Sequence, residues 1–521
     1  MNDDELIKKT ARHITATWML ILSVGFAAFV FRAQDLNLKP LHTDEAVQAL
    51  KFGDLLEHNF YEYDPVEYHG PTLYYFTLPV AWMQGLKSLA DCNIEHLRLI
   101  PLIAGVGLIF LLLFIRNGLG EMESVIAAIF LSVSPIFFYY SRYYVQEMWL
   151  PFLVFAFICF GYHFLRSGNI WWAILTGLCL GLMHATKETF IISCGCLGLA
   201  LIIDALCTGQ IKDDLKAICW RFVPVIAIVA LITSVVFFSS FFNNWEGPRD
   251  SILTYGNYFG KGTAGHTGHE KPWFYYLQLL GWNKVSKNLV WTEGMLLVLA
   301  AIGIIFALTG RVRGGRRLWR VMAIYSLLLL TIYSALAYKT PWLALNFMHP
   351  LILLAALGAC GLLRLMPKAI LMVVLLAGIG YGVYNLGVQC HLSNWRFHSH
   401  DRNPYAYTQT STDLIRLVNR IKELRTIHPD DKNMVIKIMG TEYWPLPWYL
   451  RDMPNVGYWR DGLPETNFDA PILIASAELQ ETLDEKIGGD YTFDFGGLRP
   501  GVNLVVYIQQ SLWDEYMKTR K

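Results

Sequence analysis

Residues 14–31 read ITATWMLILSVGFAAFVF, a run with no charged side chain. As a helix rising 1.5 Å per residue it covers most of the roughly 30 Å hydrocarbon core of a bilayer. Lys8, Lys9 and Arg12 precede it. The run is long for a signal-peptide core and no small-residue cleavage site follows, so it is expected to persist as an uncleaved first span. Similar runs recur down to residue 388, at about 97–115, 122–140, 148–165, 170–186, 189–207, 222–242, 292–309, 320–338, 342–363 and 368–388. The expected fold is therefore an α-helical polytopic membrane protein with about eleven spans.

Composition agrees. Hydrophobic residues make up 54% and charged residues 16%, against about 25% charged in soluble domains. A net charge of +1 offers no field for nucleic acid, so none is expected as a partner. Membrane lipid is. Most of the nine cysteines lie in apolar runs, as small buried hydrophobes. Cys92 and Cys390 fall in outer segments, where they could pair.

Lys and Arg in the connections set the orientation. With the N-terminus inside, the inner segments carry Lys8, Lys9 and Arg12, then Arg116, Arg166, Lys212, Lys216 and Arg221, then Arg311, Arg313, Arg316, Arg317 and Arg320, and finally Arg364 and Lys368. The short outer turns carry one cation each, Arg142, Lys187 and Lys339. The expected placement is a cell (inner or plasma) membrane, with a cytoplasmic N-terminus and an extracytoplasmic C-terminus. The polar islands then gather on the outer face, in a first outer loop at 32–96, three short turns and a large loop at 243–291. Acids, histidines and lone cations clustered on one face mark a candidate site.

Beyond residue 390 the composition changes. Strand-like runs (Met434–Met439, Pro471–Ala475, Val502–Ile508) alternate with helical patterns (Ser411–Leu424, Glu478–Ile487). This predicts a transmembrane domain over 1–390 and an extracytoplasmic α/β domain over 391–521.

Each outer motif has a plain and a chemical reading. Thr43-Asp44-Glu45-Ala46 looks like a helix start, where acids are favourable. Asp44 and Glu45 also suit general-base work on an attacking hydroxyl. His69-Gly70-Pro71 fits a turn with Pro in the first helical turn, with His69 either a surface histidine or a substrate contact. Arg142 and Glu147 flank a short turn, as a local ion pair or with Arg142 gripping a phosphate. Lys187-Glu188 lies between two spans with almost no loop, where charge must be paired or line a polar cavity. His266, His269 and Glu270 suggest a metal, but the order is not the His-Glu-x-x-His of zinc proteases. A Gly-rich loop that orders over a substrate fits them better. Lys339-Thr340-Pro341-Trp342 puts a cation and Trp342 at a helix start, either as snorkelling Lys with belt Trp or as substrate contacts.

Taken together, His42-Thr43-Asp44-Glu45-Ala46, His69-Gly70-Pro71, Thr186-Lys187-Glu188 and Lys339-Thr340-Pro341-Trp342 resemble the GT-C superfamily of membrane glycosyltransferases. That superfamily includes protein O-mannosyltransferases, the aminoarabinose transferase and oligosaccharyltransferase catalytic subunits. The likeness is strongest to a flippase-activity-associated branch found in archaea and bacteria, and extends to Trp448-Tyr449-Leu450-Arg451 and Tyr458-Trp459. It implies transfer of a sugar from a polyprenyl-phosphate-linked donor to a lipid, glycan or protein acceptor on the outer face, with inversion. The acid of the first loop would be the base, which by motif match is Asp44, with Glu45 beside it. Some members hold a divalent metal, and the resemblance leaves that requirement open here. A second Asp-containing motif is absent, and Glu147 is its nearest positional counterpart. Arg142, Lys187 and Lys339 would then meet the departing phosphate, and His69 would orient the sugar or the acceptor. Two other readings stay open: a lipid-linked-sugar flippase component and a non-catalytic scaffold. Transporters, however, usually show repeated halves around a midplane site, and this sequence shows neither.

Overall fold

The computed structural model describes residues 3–66, 69–263, 268–460 and 468–520. The chain divides into two compact units. One takes Met1–Leu36, Phe60–Pro79 and Arg98–Arg396, the other Asn37–Asn59, Val80–Leu97 and Phe397–Lys521.

The first unit is helical. Among the described residues, eight helices are long and apolar enough to cross a membrane: Thr15–Ala33, Ile94–Leu119, Gln146–Ser167, Phe190–Thr208, Trp220–Phe238, Arg316–Ala335, Pro341–Leu365 and Ala369–Arg396. Ile170–His184 and Gly294–Leu308 are shorter apolar helices. The run expected at 122–140 breaks into Glu121–Val133 and Pro135–Tyr140. Pro135 cannot donate to the preceding turn. The buried Glu293 carboxylate takes the donors at the break, Ser134 Oγ at 2.5 Å and Ile136 N at 3.0 Å.

Leu345–Leu365 is buried along nearly its whole length. It crosses Gly294–Leu308 at a glycine pair. A Cβ on Gly303 would lie 1.8 Å from Leu354 O, and one on Gly358 2.0 Å from Leu299 O. Small residues permit such close approach between apolar helices, where packing replaces the hydrophobic drive. By contrast, Ala369–His391 exposes Ile370, Val373, Val374 and Leu376, as a lipid-facing helix should. At helix ends, arginines neutralise buried acids. Asp204 meets Arg320 at 2.7 Å and Arg317 at 3.3 Å, and Glu123 meets Arg364 at 2.6 Å. The loop at 243–291 carries structure that its sequence did not suggest: the helices Gly247–Thr263 and Tyr275–Gly281, and an antiparallel hairpin of β1 (Asn283–Ser286) and β2 (Leu289–Trp291).

The second unit is α/β. Its sheet contains β3 (Ile436–Met439), β4 (Val456–Trp459), β5 (Ile472–Ser476), β6 (Tyr491–Arg499) and β7 (Val502–Gln509), in the order β4-β3-β5-β7-β6. β3 is parallel to β4 and β5, whereas β7 is antiparallel to β5 and β6. β5 is buried at every position, as a central strand must be when both faces are covered. Thr412–Ile427 lays Leu414, Leu417, Val418, Ile421 and Leu424 inward, at the 3.6-residue period of an amphipathic helix. Cys92 and Cys390 are both free thiols.

Candidate functional site

The sequence-selected residues fall into two clusters, one in each unit. In the second unit, Thr43–His58 is a helix as its start signal predicts. His42 is the N-cap: its Nδ1 accepts from Asp44 N at 3.0 Å, and Glu45 Oε2 accepts from His42 N at 3.0 Å. This reciprocal pair is a capping box with histidine in place of the usual hydroxyl residue. Glu45 is thereby buried and bound to its own helix end. Asp44 differs. Its side chain is 46% exposed, with its carboxylate 3.7 Å from His42 Nδ1. His42 Nε2 lies 3.0 Å from Thr408 Oγ1. Burial pushes the His42 imidazole below its usual pKa, and Lys39 and Arg499 add to this against the opposing pull of Asp44 and Glu45. The neighbour of Asp44 is therefore a neutral ring at pH 7.

The first unit holds the other cluster, assembled where two motifs meet. A Cβ on Gly70 would lie 2.2 Å from Ala185 O, so only glycine lets the His69-Gly70-Pro71 turn seat against the connection 185–189. Thr72 N donates to that same Ala185 O at 3.1 Å, and Thr72 Oγ1 lies 2.8 Å from Thr186 Oγ1. The turn delivers His69 Nδ1 to 2.8 Å from Glu188 Oε2, while Tyr63 OH donates to Glu188 Oε1 at 3.2 Å. Lys187 points the other way and donates to Glu147 Oε1. Glu147, Lys187 and Glu188 are all buried. Burial alone would raise the Glu188 pKa, but His69 and Lys187 outweigh it and hold the carboxyl below its ordinary value. The pairing expected between Arg142 and Glu147 is replaced by Lys187–Glu147. Glu147 Oε2 is buried without a hydrogen-bond partner.

Arg142 ties distant segments together. Its Nη2 donates to Gln34 O at 2.6 Å and Asp35 O at 2.8 Å, and its guanidinium sits over the Trp395 ring at 4.7 Å. Nη1 is buried without a hydrogen-bond partner. Burial and the Arg98 charge lower the Arg142 pKa to about 10. Trp342 is buried, stacked on Tyr143 with centroids 6.2 Å apart and edge-on to Tyr140. Lys339 is buried, with Nζ donating to Lys271 O at 3.2 Å and to Leu336 O. Burial lowers its pKa. His269 O accepts from Lys339 N at 3.0 Å, which ties the 243–291 loop to this turn. His266 lies outside the described residues. Among the described residues, no group of three or more His, Cys, Asp or Glu side chains comes together to hold a metal. Tyr63 and Glu293 were not singled out from sequence, because a lone Tyr or Glu carries no spacing signal.

A bundle of apolar helices, an acid-bearing helix start after the first span and a sheet domain at the C-terminus form a distinctive combination. The chain is similar over 96% of its length, and 99% of the other's, to ArnT from Cupriavidus metallidurans in its apo state, with a TM-score of 0.62 and 14% sequence identity. The chain has the GT-C fold. A second structure of that ArnT, bound to undecaprenyl phosphate, matches this chain with a TM-score of 0.61 and 15% identity, over 94% of this chain and 98% of the other. A family model described as dolichyl-phosphate-mannose-protein mannosyltransferase matches residues 77–238. That stretch includes the Arg142, Glu147, Lys187 and Glu188 positions and omits Asp44. No curated protein matches the chain. The chain is thus a multi-pass membrane protein whose helical fold and C-terminal sheet region agree with the sequence-based expectation.

Proposed function

We propose that this protein transfers a sugar from a polyprenyl-phosphate-linked donor to an acceptor hydroxyl on the extracytoplasmic face, with Asp44 as general base. The observation that carries the reading is Asp44 itself. It is a half-exposed carboxylate fixed by a capped helix start, in a chain whose fold matches a protein crystallised with undecaprenyl phosphate. In the reaction, the acceptor oxygen attacks the anomeric carbon and loses its proton to Asp44. The bond from that carbon to the phosphate oxygen breaks, and its electron pair leaves with the phosphate. Developing negative charge there calls for fixed cations. Arg142 is the first candidate because Nη1 has no hydrogen-bond partner, while Lys187 and Lys339 already serve protein acceptors. Lys187 and Lys339 contribute through the field of their charges. His69, Glu188, His269, His266 and Trp342 complete the proposed substrate contacts. The N-terminus is cytoplasmic, residues 1–390 carry donor binding, and 391–521 position the acceptor outside.

The test is transfer of labelled sugar from a panel of polyprenyl-phosphate donors by purified protein in lipid, beside Asp44→Asn. Transfer by the parent and a loss of about a hundredfold or more in the variant supports the reading. Equal transfer by both removes Asp44 from the chemistry. Absence of transfer from every donor moves weight to the flippase or scaffold readings.

A further inference from the structure

The second unit has a feature that the proposed chemistry does not use. β3 and β5 are adjacent and parallel, yet their onward connections leave in opposite directions: β3 leads to β4 on one side, β5 to β6 beyond β7 on the other. The carboxyl ends of two such strands flank a crevice, and open α/β sheets bind ligands there. Here the two ends approach closely. Gly440 follows β3 at φ +100°, and a Cβ on it would lie 2.4 Å from Ser476 Oγ at the end of β5. Glu442 N donates to that same Ser476 Oγ at 3.4 Å.

Three aromatic rings lie beside these strand ends. Tyr443 stacks on Trp444, with centroids 6.0 Å apart and planes 26° apart, and packs against Tyr458 of β4 at 5.2 Å. Tyr443 and Trp444 are half-buried, and Tyr458 is exposed. Next to them Glu442 and Arg499 form an ion pair that solvent still reaches. Arg499 also acts electrostatically on His42, whose Nδ1 lies 3.7 Å from the Asp44 carboxylate. Asp44, His42, Arg499, Glu442 and the aromatic rings thus all belong to one compact unit.

We propose that Tyr443, Trp444 and Tyr458, with Glu442 and Arg499, form a pyranoside-binding site for the sugar of a glycan acceptor. The assignment to the acceptor rests on the transfer reading above. A pyranose has an apolar C–H face and a rim of hydroxyls. Flat rings that carry polar tips match the face, and a carboxylate beside a guanidinium offers acceptors and forked donors to the rim. An acyl tail would instead need an apolar cleft.

The experiment is saturation-transfer NMR on the full-length protein in nanodiscs, with methyl glycosides of glucose, mannose, galactose and N-acetylglucosamine as probes. Saturation is expected to reach the ring C–H protons of at least one probe. Tyr443→Ala with Tyr458→Ala should weaken that probe's binding about three- to tenfold. Tyr443→Phe with Tyr458→Phe keeps the ring faces and should retain most of it. Tyr458→Ser alone, at an exposed position, gives the same direction of change should the double alanine variant misfold. Contact with none of the four probes, or equal contact in wild type and in Tyr458→Ser, overturns the site. Displacement of the bound probe by undecaprenyl-phosphate-linked hexose would make the patch a donor site and overturn the acceptor assignment. Because the readout is binding, sugar contact together with absence of labelled transfer would sink the transfer reading and leave this site standing.

Discussion

The acids of the two units are held in opposite ways. Glu147 and Glu188 are buried in the first unit, one paired with Lys187 and the other with His69 and Tyr63. Asp44 in the second unit is half exposed beside a ring that burial keeps neutral. A buried carboxylate tied to a cation is expensive to uncouple and slow to give up its charge. A carboxylate at the surface of a capped helix can take a proton without dismantling anything. Three of the acid-bearing motifs looked alike as sequence, yet Glu147 and Glu188 are paired inside a buried cluster while the Asp44 carboxylate stays half exposed.

The largest expected effect tests the cross-linking half. Lys187→Met strands Glu147 as a buried uncompensated charge and should cost about 3–5 kcal/mol of stability, whereas Lys187→Met with Glu147→Leu should recover most of it. Thermal melting in detergent reads both, and a double variant no more stable than the single one would break the pairing argument. Next comes Asp44→Asn, with transfer lowered about a hundredfold and the melting temperature unchanged. A fall in stability as large as that of Lys187→Met would place Asp44 with the structural acids.

Smaller effects sharpen the contrast. Gly70→Ala forces a Cβ into Ala185 O and should cost about 1–3 kcal/mol. It should also loosen His69 from Glu188, seen as a changed His69 ring signal by NMR. Glu45→Ala removes half of the capping box and should cost about 1 kcal/mol, with faster amide exchange confined to the start of Thr43–His58. The smallest is a pH effect. His42 resists protonation when folded, so as pH falls through its unfolded value of 6.5 the unfolded chain takes up the proton first. Stability of the second unit therefore declines with acid in that range, and His42→Asn, which keeps a capping side chain, should flatten the decline.

Much of this was legible because its causes are local. Span positions follow from apolar length, and the helix start at Thr43 follows from cap chemistry within four residues. β3, β5 and β7 were anticipated at Met434–Met439, Pro471–Ala475 and Val502–Ile508 because each is a dense apolar run. β4 and β6 were not. Val456-Gly457-Tyr458-Trp459 is short and contains glycine, and β6 carries Gly496-Gly497 before its last two residues, and glycine inside a strand weakens its signal. β4 exists because it pairs in register with Ile436–Met439, and β6 because it pairs with β7.

By itself the sequence determined a many-helix membrane protein, its Asp-Glu helix start and a C-terminal domain of mixed strands and helices, since hydrophobic length, charge position and capping act over a few residues. Only the tertiary structure decided which acid meets which cation. His69 reaches Glu188 across 119 positions, Lys187 reaches Glu147 across 40, and Arg142 holds the backbone of Gln34 and Asp35. Such pairings are set by how helices pack and how close a glycine turn can approach, and desolvation then makes each buried charge take whichever partner the packing brings within reach.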